Sequence, residues 1–182
     1  DVASEADGER AVEIAGKAGD GLRILVNCAG IGPAARIIGR EGPMPLGDFE
    51  RVLRVNLIGS FNMLRLAAAH MTALPERDDK ARGAIVNTAS VAATDGQIGQ
   101  AAYAASKGAI ISMALPAARE LARFGIEADD SAGTPLLSTP QGDFERIQIE
   151  GFIGKRDPIT GQFGFLHLAQ KREARSDLPS VA

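Results

Sequence analysis

Tyr103 and Lys107 are the pair of side chains in this sequence best suited to proton-transfer chemistry. Tyr103 is the one tyrosine of the chain and stands four residues before Lys107. Residues four apart on a helix share a face, so the lysine ammonium would lie near the tyrosine hydroxyl and favour its phenolate form. An isolated pair with this spacing is usually a half-buried tyrosine beside a surface lysine, so the flanking sequence has to decide between the two interpretations.

Two predicted strands would carry further polar groups to the same place. Residues 84–90 form a short apolar run with β-branched members that ends at Ser90, which predicts a buried strand with the serine at its carboxyl end. Residues 22–26 predict a second strand, followed by small residues at 27–32 that let a backbone approach a ligand or simply form a tight turn. In open α/β sheets, ligands bind at the carboxyl ends of the strands.

A long helix is predicted between these strands, with Asp48 as a plausible N-cap. Its apolar face has helical spacing and consists of Phe49, Val52, Leu53, Leu57, Phe61 and Leu64. Asn56 falls on the same face. Because an unsatisfied buried amide costs about 1–3 kcal/mol, Asn56 is either a hydrogen-bonded core group or the anchor of a water or proton path.

Taken together, the NCAG motif at 27–30, Asn56, Ser90 and the Tyr103/Lys107 pair resemble the short-chain dehydrogenase/reductase family in order and spacing. The resemblance implies a catalytic tetrad. Tyr103 would be the general acid/base, Ser90 would hold the substrate oxygen, Lys107 would assist the tyrosine and bind the nicotinamide ribose, and Asn56 would keep a water in a proton relay. It also implies an α/β fold, a doubly wound, Rossmann-type parallel sheet in three layers that is incomplete in this chain.

Residues 1–126 are most similar to the branch of that family that oxidises the 3-hydroxyl of acyl-CoA thioesters with NAD, and to bacterial members of it in particular. By this resemblance, the Asp1-Val2 pair would close a strand beside the adenine, and Cys28 replaces an asparagine of the family's NNAG-type motif. NADP is not excluded as the cofactor. The cofactor-binding residues implied are Asp1, Val2, Asn27, Cys28, Ala29, Gly30, Tyr103, Lys107 and Thr134.

The sequence departs from the family pattern in two places. By comparison with the family, about 60 residues that include the glycine-rich pyrophosphate loop would precede Asp1. Residues 127–131 are acidic where the family has an apolar strand, and they are predicted not to form a buried strand. The likeness returns at residues 133–137, where Thr134 would touch the nicotinamide carboxamide. Beyond Pro140 only faint similarity remains, and residues 171–182 read as a polar, poorly ordered tail.

Composition fits one soluble domain of ordinary size, with 182 residues of which 45% are hydrophobic. We predict a single partial domain over 1–182, family-like at 1–126 and divergent, in part disordered, at 127–182. A net charge of -3 without a basic cluster argues against nucleic acid as a partner, and no apolar stretch reaches the roughly 20 residues of a membrane span. The single Cys28 suits a reducing cytoplasm. His70 and His167 lack partners at metal-ligand spacing, so no metal site is predicted.

The resemblance implies hydride transfer between NAD(H) and a secondary alcohol or ketone, foremost from a 3-hydroxyacyl-CoA to a 3-oxoacyl-CoA, in a homotetramer paired through the Tyr103 helix. The small-sided surface of that helix permits close packing, and Pro116 is expected to kink it. One alternative is a 3-oxoacyl-carrier-protein reductase that uses NADPH. Another is a non-catalytic remnant that cannot hold a dinucleotide and acts only as a binding or assembly partner.

Overall fold

The computed structural model describes residues 1–130, 155–156 and 163–164. The chain divides into two compact units, Asp1–Arg146 and Ile147–Ala182. In the second unit, β6 (Lys155–Arg156) pairs antiparallel with β7 (Phe163–Gly164). The predictions for Thr134 and for a poorly ordered tail at 171–182 fall outside the described residues. The prediction of a single domain stays a prediction.

The first unit contains helices α1 (Glu5–Gly16), α2 (Leu46–Leu53), α3 (Gly59–Thr72) and α4 (Ala101–Ala122), with strands β1 (Ile24–Asn27), β2 (Ile38–Gly39), β3 (Gly42–Pro43), β4 (Gly83–Asn87) and β5 (Ile126–Asp130). Strands β1, β4 and β5 form a parallel sheet in that order. Helices α3 and α4 pack against this sheet and form the hydrophobic core together with it. The buried core residues are Leu64, Ala67, Ala68, Met71, Ile85, Ile126 and Ala128.

Strand β5 corrects the prediction that the acidic stretch after Ile126 could not be a buried strand. The stretch pairs in register with β4, so that Ala128 lies opposite Ile85. Side chains alternate between the two faces of a strand. Ile126 and Ala128 are therefore 2% and 1% exposed, whereas Glu127 and Asp129 are only half-buried. The prediction was wrong because it required both faces of the strand to be apolar.

The predicted long helix is interrupted by a π-helical turn, Arg54–Ile58, between α2 and α3. The helix begins at Leu46, with Pro45 as N-cap, so Asp48 lies in the first turn and does not cap it. A π turn adds a residue to the helical repeat and rotates everything that follows. Phe61, predicted to lie on the buried face, is 49% exposed, while Leu64 on the same predicted face is buried at 6% and Asn56 at 1%.

Residues 38–43 form the two-stranded antiparallel hairpin β2–β3. Helix α4 continues through Pro116 to Ala122, and the expected kink at Pro116 stays a prediction. The predicted strands also shift by a few residues, since β1 begins at Ile24 and β4 ends at Asn87, three residues before Ser90.

Candidate functional site

Helix α4 places Tyr103 and Lys107 on one face, as the spacing predicted. The Lys107 Nζ atom lies 5.8 Å from the centroid of the Tyr103 ring. It donates a hydrogen bond to the carbonyl oxygen of Thr88, the residue that follows β4. The side chain of Lys107 therefore spans from α4 to the carboxyl end of the sheet, and only 6% of the residue is exposed.

Burial also sets the electrostatics of this lysine. Removal of the ammonium from water lowers the pKa of Lys107 below its ordinary value of 10.5, and the electrostatic influence of Cys28 opposes that shift. Cys28 itself is exposed, and its sulfur accepts a hydrogen bond from Thr88 Oγ1 at 3.6 Å. A desolvated ammonium next to a tyrosine interacts more strongly with charge on the phenol than a solvated one would.

Asn56 uses its whole side-chain amide within the protein. Its Oδ1 accepts from the backbone N–H of Ile31 at 2.8 Å, and its Nδ2 donates to the Ile31 carbonyl at 2.9 Å and to Ser106 Oγ at 3.0 Å. Ser106, fully buried, donates in turn to the Tyr103 carbonyl at 2.7 Å. Of the two alternatives for Asn56, the hydrogen-bonded core group describes the side chain, and a water relay stays a prediction.

Ser90 lies in the segment between β4 and α4. It is the N-cap of a short 3₁₀ turn, Val91–Ala93, and its Oγ accepts a hydrogen bond from the N–H of Ala92 at 3.2 Å. Because the hydroxyl oxygen is the acceptor in that bond, its O–H can still donate to a substrate oxygen. The turn thus fixes the serine side chain near the edge where Lys107 meets Thr88.

Residues 27–32 connect β1 to this site. Asn27 is 8% exposed, and its Nδ2 donates to the Ser60 carbonyl and to Asn87 Oδ1, at 3.1 and 2.9 Å. This amide joins β1 to β4 and α3. Cys28, Ala29 and Gly30 are exposed beyond it.

Two glycines of this segment pack against the candidate catalytic side chains. A Cβ atom on Gly30 would lie 3.3 Å from Asn56 Oδ1, and one on Gly32 would lie 3.2 Å from Tyr103 Cδ2. The sequence predicted that small residues here admit a ligand, and the structure adds that they also admit side chains of the site itself. Gly32 and Ser106 were missed, because nothing in the sequence shows which elements they contact.

The predicted adenine-side pair is held on α3. The Val2 carbonyl accepts a hydrogen bond from Asn62 Nδ2 at 2.9 Å, and the Val2 side chain lies over Gly59, where a Cβ would come within 2.5 Å. The carboxylate of exposed Asp1 accepts a hydrogen bond from the N–H of Ala3 at 2.9 Å. The N-terminal residues thereby adopt a defined position within the first unit.

Within residues 1–130 and the two short strands beyond them, no helix is long and apolar enough to cross a membrane. The same described residues hold no group of three or more histidine, cysteine, aspartate or glutamate side chains arranged to bind a metal ion.

Curated proteins are similar to this chain in sequence. The 3-hydroxyacyl-CoA dehydrogenase type-2 of Bos taurus is 41% identical over 180 residues, and that of Homo sapiens is 43% identical over 182 residues. Each alignment includes 93% of this chain and 67% of the relative. The chain thus spans about two thirds of the length of these relatives.

Solved structures show the same fold. The 3-hydroxyacyl-CoA dehydrogenase type-2 of Mycobacterium avium matches with a TM-score of 0.67 and 41% identity, over 71% of this chain and 52% of that one. An NAD⁺-bound xylitol dehydrogenase matches with a TM-score of 0.61 and 34% identity, over 71% of this chain and 46% of that one. The chain therefore spans about half the length of these structures, and the predicted α/β fold is confirmed.

Residues 1–140 match the family described as short chain dehydrogenase. The resemblance drawn from residues 27–30, Asn56, Ser90 and the Tyr103/Lys107 pair is thereby confirmed, and the family description agrees with the prediction of an oxidoreductase. This chain belongs to the short-chain dehydrogenase family.

Proposed function

We propose that this chain forms the catalytic part of an NAD-dependent dehydrogenase that interconverts 3-hydroxyacyl-CoA and 3-oxoacyl-CoA thioesters. The observation that carries the proposal is the buried ammonium of Lys107, 5.8 Å from the ring centroid of Tyr103. The substrate class rests on the relatives, which are 40–43% identical and are named 3-hydroxyacyl-CoA dehydrogenase type-2.

In the proposed mechanism, Tyr103 takes the proton of the substrate hydroxyl during oxidation and returns it to the carbonyl oxygen during reduction. Ser90 donates its O–H to that oxygen and orients it. The Lys107 ammonium stabilises negative charge on the tyrosine oxygen. A nicotinamide cofactor, when bound, accepts or supplies the hydride.

Asn56 positions these groups. Its amide ties the segment that ends at Ile31 to Ser106, and Ser106 is bonded to the Tyr103 backbone. A water held beside this amide would complete a proton path to Lys107.

The donor set at the edge of the sheet fits a nicotinamide dinucleotide. Exposed residues 28–30 follow β1 at the carboxyl edge of a parallel sheet, where such cofactors bind. Tyr103 and Lys107 would hold the nicotinamide ribose, Asp1 and Val2 would face the adenine, and the exposed backbone of Cys28, Ala29 and Gly30 would line the cleft between them. Asn27 would support the cofactor site indirectly by holding β1 against β4 and α3, since both bonds from its Nδ2 are made within the protein. Thr134 is proposed from sequence alone.

The assembly that we propose is a homotetramer in which α3 and α4 pair with their copies. The two helices border an apolar groove lined by Phe61, Leu64, Met113, Ala117, Leu121 and Phe124. Phe61 is half exposed there, and its burial by a partner would be favourable at about 25 cal/mol per Å² of apolar surface. Sedimentation of wild type against Phe61→Glu tests this pairing, and an unchanged tetramer in the variant would contradict it.

The location that we propose is a reducing cytoplasm, and this proposal rests on the single cysteine.

A fluorescence titration with NADH, followed by turnover of a 3-hydroxyacyl-CoA with NAD⁺, tests the proposed activity. Saturable binding and turnover are expected. Faster reduction of an acyl-carrier-protein thioester with NADPH would replace the proposal by the carrier-protein reductase. A folded chain that binds neither NADH nor NADPH would be the non-catalytic remnant.

A further inference from the structure

A cavity of about 370 Å³ lies beside the N-terminus of α4. One wall is formed by the segment that follows β1, with Ala35, Arg36 and Ile37, and the other by residues 96–100. Ala104 of α4 contributes to the lining. Volumes of this order are ordinary for small-molecule sites, and no residue of the proposed tetrad lines this cavity.

The two walls are joined by the backbone. The N–H of Ala35 donates to the carbonyl of Gly99 at 2.9 Å, and Gly99 adopts a φ of +88° that favours glycine. The second wall is braced internally, because the N–H of Gln97 donates to Gln100 Oε1 at 2.9 Å. The cavity is therefore built into the backbone of the segment, as expected of a largely preformed binding site.

The chemistry of the lining suits a hydrocarbon. Ile37 is 67% exposed and Ile98 is 82% exposed, and both border the cavity. Among the described residues that line it, Arg36 is the one charged residue. Large apolar side chains that face an open cavity in this way mark a surface that gains free energy when an apolar group covers it.

The cavity lies within reach of the reacting position. Gly32 packs against the Tyr103 ring, and Ala35, three residues later, belongs to the cavity wall. Three residues of extended chain span at most about 10 Å. On the other side, Ala104 follows Tyr103 directly in α4. A substrate with its hydroxyl at Tyr103 can therefore extend an apolar tail into the cavity.

We propose that this cavity binds the alkyl tail of the acyl substrate, and that Ile98, with Ile37 opposite, determines which chain lengths are accepted. The inference rests on the proposed function, and it adds that long acyl chains gain affinity over short ones through contacts distant from the tetrad.

Calorimetry with butyryl-CoA and dodecanoyl-CoA tests this inference without turnover, since neither ligand carries a 3-hydroxyl group. Wild type should bind dodecanoyl-CoA more tightly. Ile98→Trp should fill the cavity and weaken dodecanoyl-CoA about tenfold, while butyryl-CoA is unchanged. Ile98→Ala should reduce the preference for the longer chain by removing apolar contact. Because Ile98 is 82% exposed, neither change removes a core side chain.

Ile14→Trp is the matched control, because Ile14 is 66% exposed on α1 and does not line the cavity. It should bind both ligands as wild type does. Equal affinity of wild type for both ligands, a parallel loss for both in Ile98→Trp, or the same loss in the control would overturn the inference. A change in sedimenting mass in the Ile98 variants would also overturn it by showing a contact between copies. Failure of the proposed function would instead appear as no hydride transfer to NAD⁺ from either chain length, with the calorimetric preference intact.

Discussion

Asn56 and Ile31 are joined as an amide pair, in which the Asn56 side chain bonds both the N–H and the C=O of Ile31, at 2.8 and 2.9 Å. This is how a peptide group pairs with its neighbour in a sheet, here made by a side chain on a π-helical turn. Asn56 lies behind Gly30, where a Cβ would come within 3.3 Å of its Oδ1. The amide thus ties the segment at residues 30–32 to the π turn, and Gly32 of that segment packs against the Tyr103 ring.

Asn56→Leu should lower both stability and turnover. The N–H and C=O of Ile31 would lose their side-chain partner, at about 1–3 kcal/mol for each group left unsatisfied, and Ser106 would keep only its bond to the Tyr103 carbonyl. Urea denaturation measures the first effect and kcat the second. Asn62→Leu is the matched control on α3, since Asn62 is also buried but bonds Val2 and Ser4. It should destabilise the fold while kcat at saturating cofactor is kept, and an equal loss of kcat would count against a specific role for Asn56.

Gly32→Ala should slow catalysis with little effect on folding. The added methyl would lie 3.2 Å from Tyr103 Cδ2, so the ring has to move by a few tenths of an ångström. A displacement of that size from the reactive position is expected to reduce kcat by about tenfold. Gly47→Ala in α2 meets no atom within 4 Å and should instead stabilise the helix by about 0.5–1 kcal/mol with normal turnover. Wild-type kcat in Gly32→Ala would show that the ring position is not critical.

Tyr103→Phe should abolish turnover and leave cofactor affinity nearly intact, because it removes the proton donor and keeps the ring packed against Gly32. NADH titration and initial rates with a 3-hydroxyacyl-CoA measure the two effects separately. Substantial residual turnover would exclude Tyr103 as the acid/base.

Glu127→Gln should stabilise the protein at neutral pH. Burial raises the pKa of Glu127 above its ordinary 4.5, and the negative charges of Asp79 and Asp129 raise it further. The folded state then binds this proton more tightly than the unfolded state, so the contribution of Glu127 is complete below pH 4.5 and is lost as the pH rises through the raised value. The side-chain amide introduced by Glu127→Gln carries no charge at any of these pH values, so the variant does not lose this stability as the pH rises.

Thermal unfolding of wild type and Glu127→Gln from pH 4 to pH 8 measures this difference, which should be largest at pH 8 and small at pH 4. Glu9→Gln, at an exposed position of α1, should follow the wild-type curve. A Glu127→Gln curve parallel to wild type at every pH would show that the carboxyl group titrates alike in the folded and unfolded chains.

The sequence by itself determined the family and which secondary-structure elements carry the candidate residues. Three patterns of residues close together in the chain carry this information. They are the spacing of Tyr103 and Lys107, the position of Ser90 after an apolar run, and the NCAG motif. A helix repeats every 3.6 residues and strands end at polar residues, so these patterns place side chains on known faces. The same local rules predicted the parallel strands β1 and β4 to within a few residues.

Only the tertiary structure decided what each polar group contacts. Asn56 lies in a π turn that the residue pattern does not predict. Its bonding partner is the peptide group of a residue 25 positions away in the chain. The carboxylates at residues 127–131 predicted no buried strand there, yet pairing with β4 buries Ile126 and Ala128 and leaves Glu127 and Asp129 on the less buried face. Backbone pairing and alternate burial are properties of the assembled sheet, and composition read along one strand does not contain them.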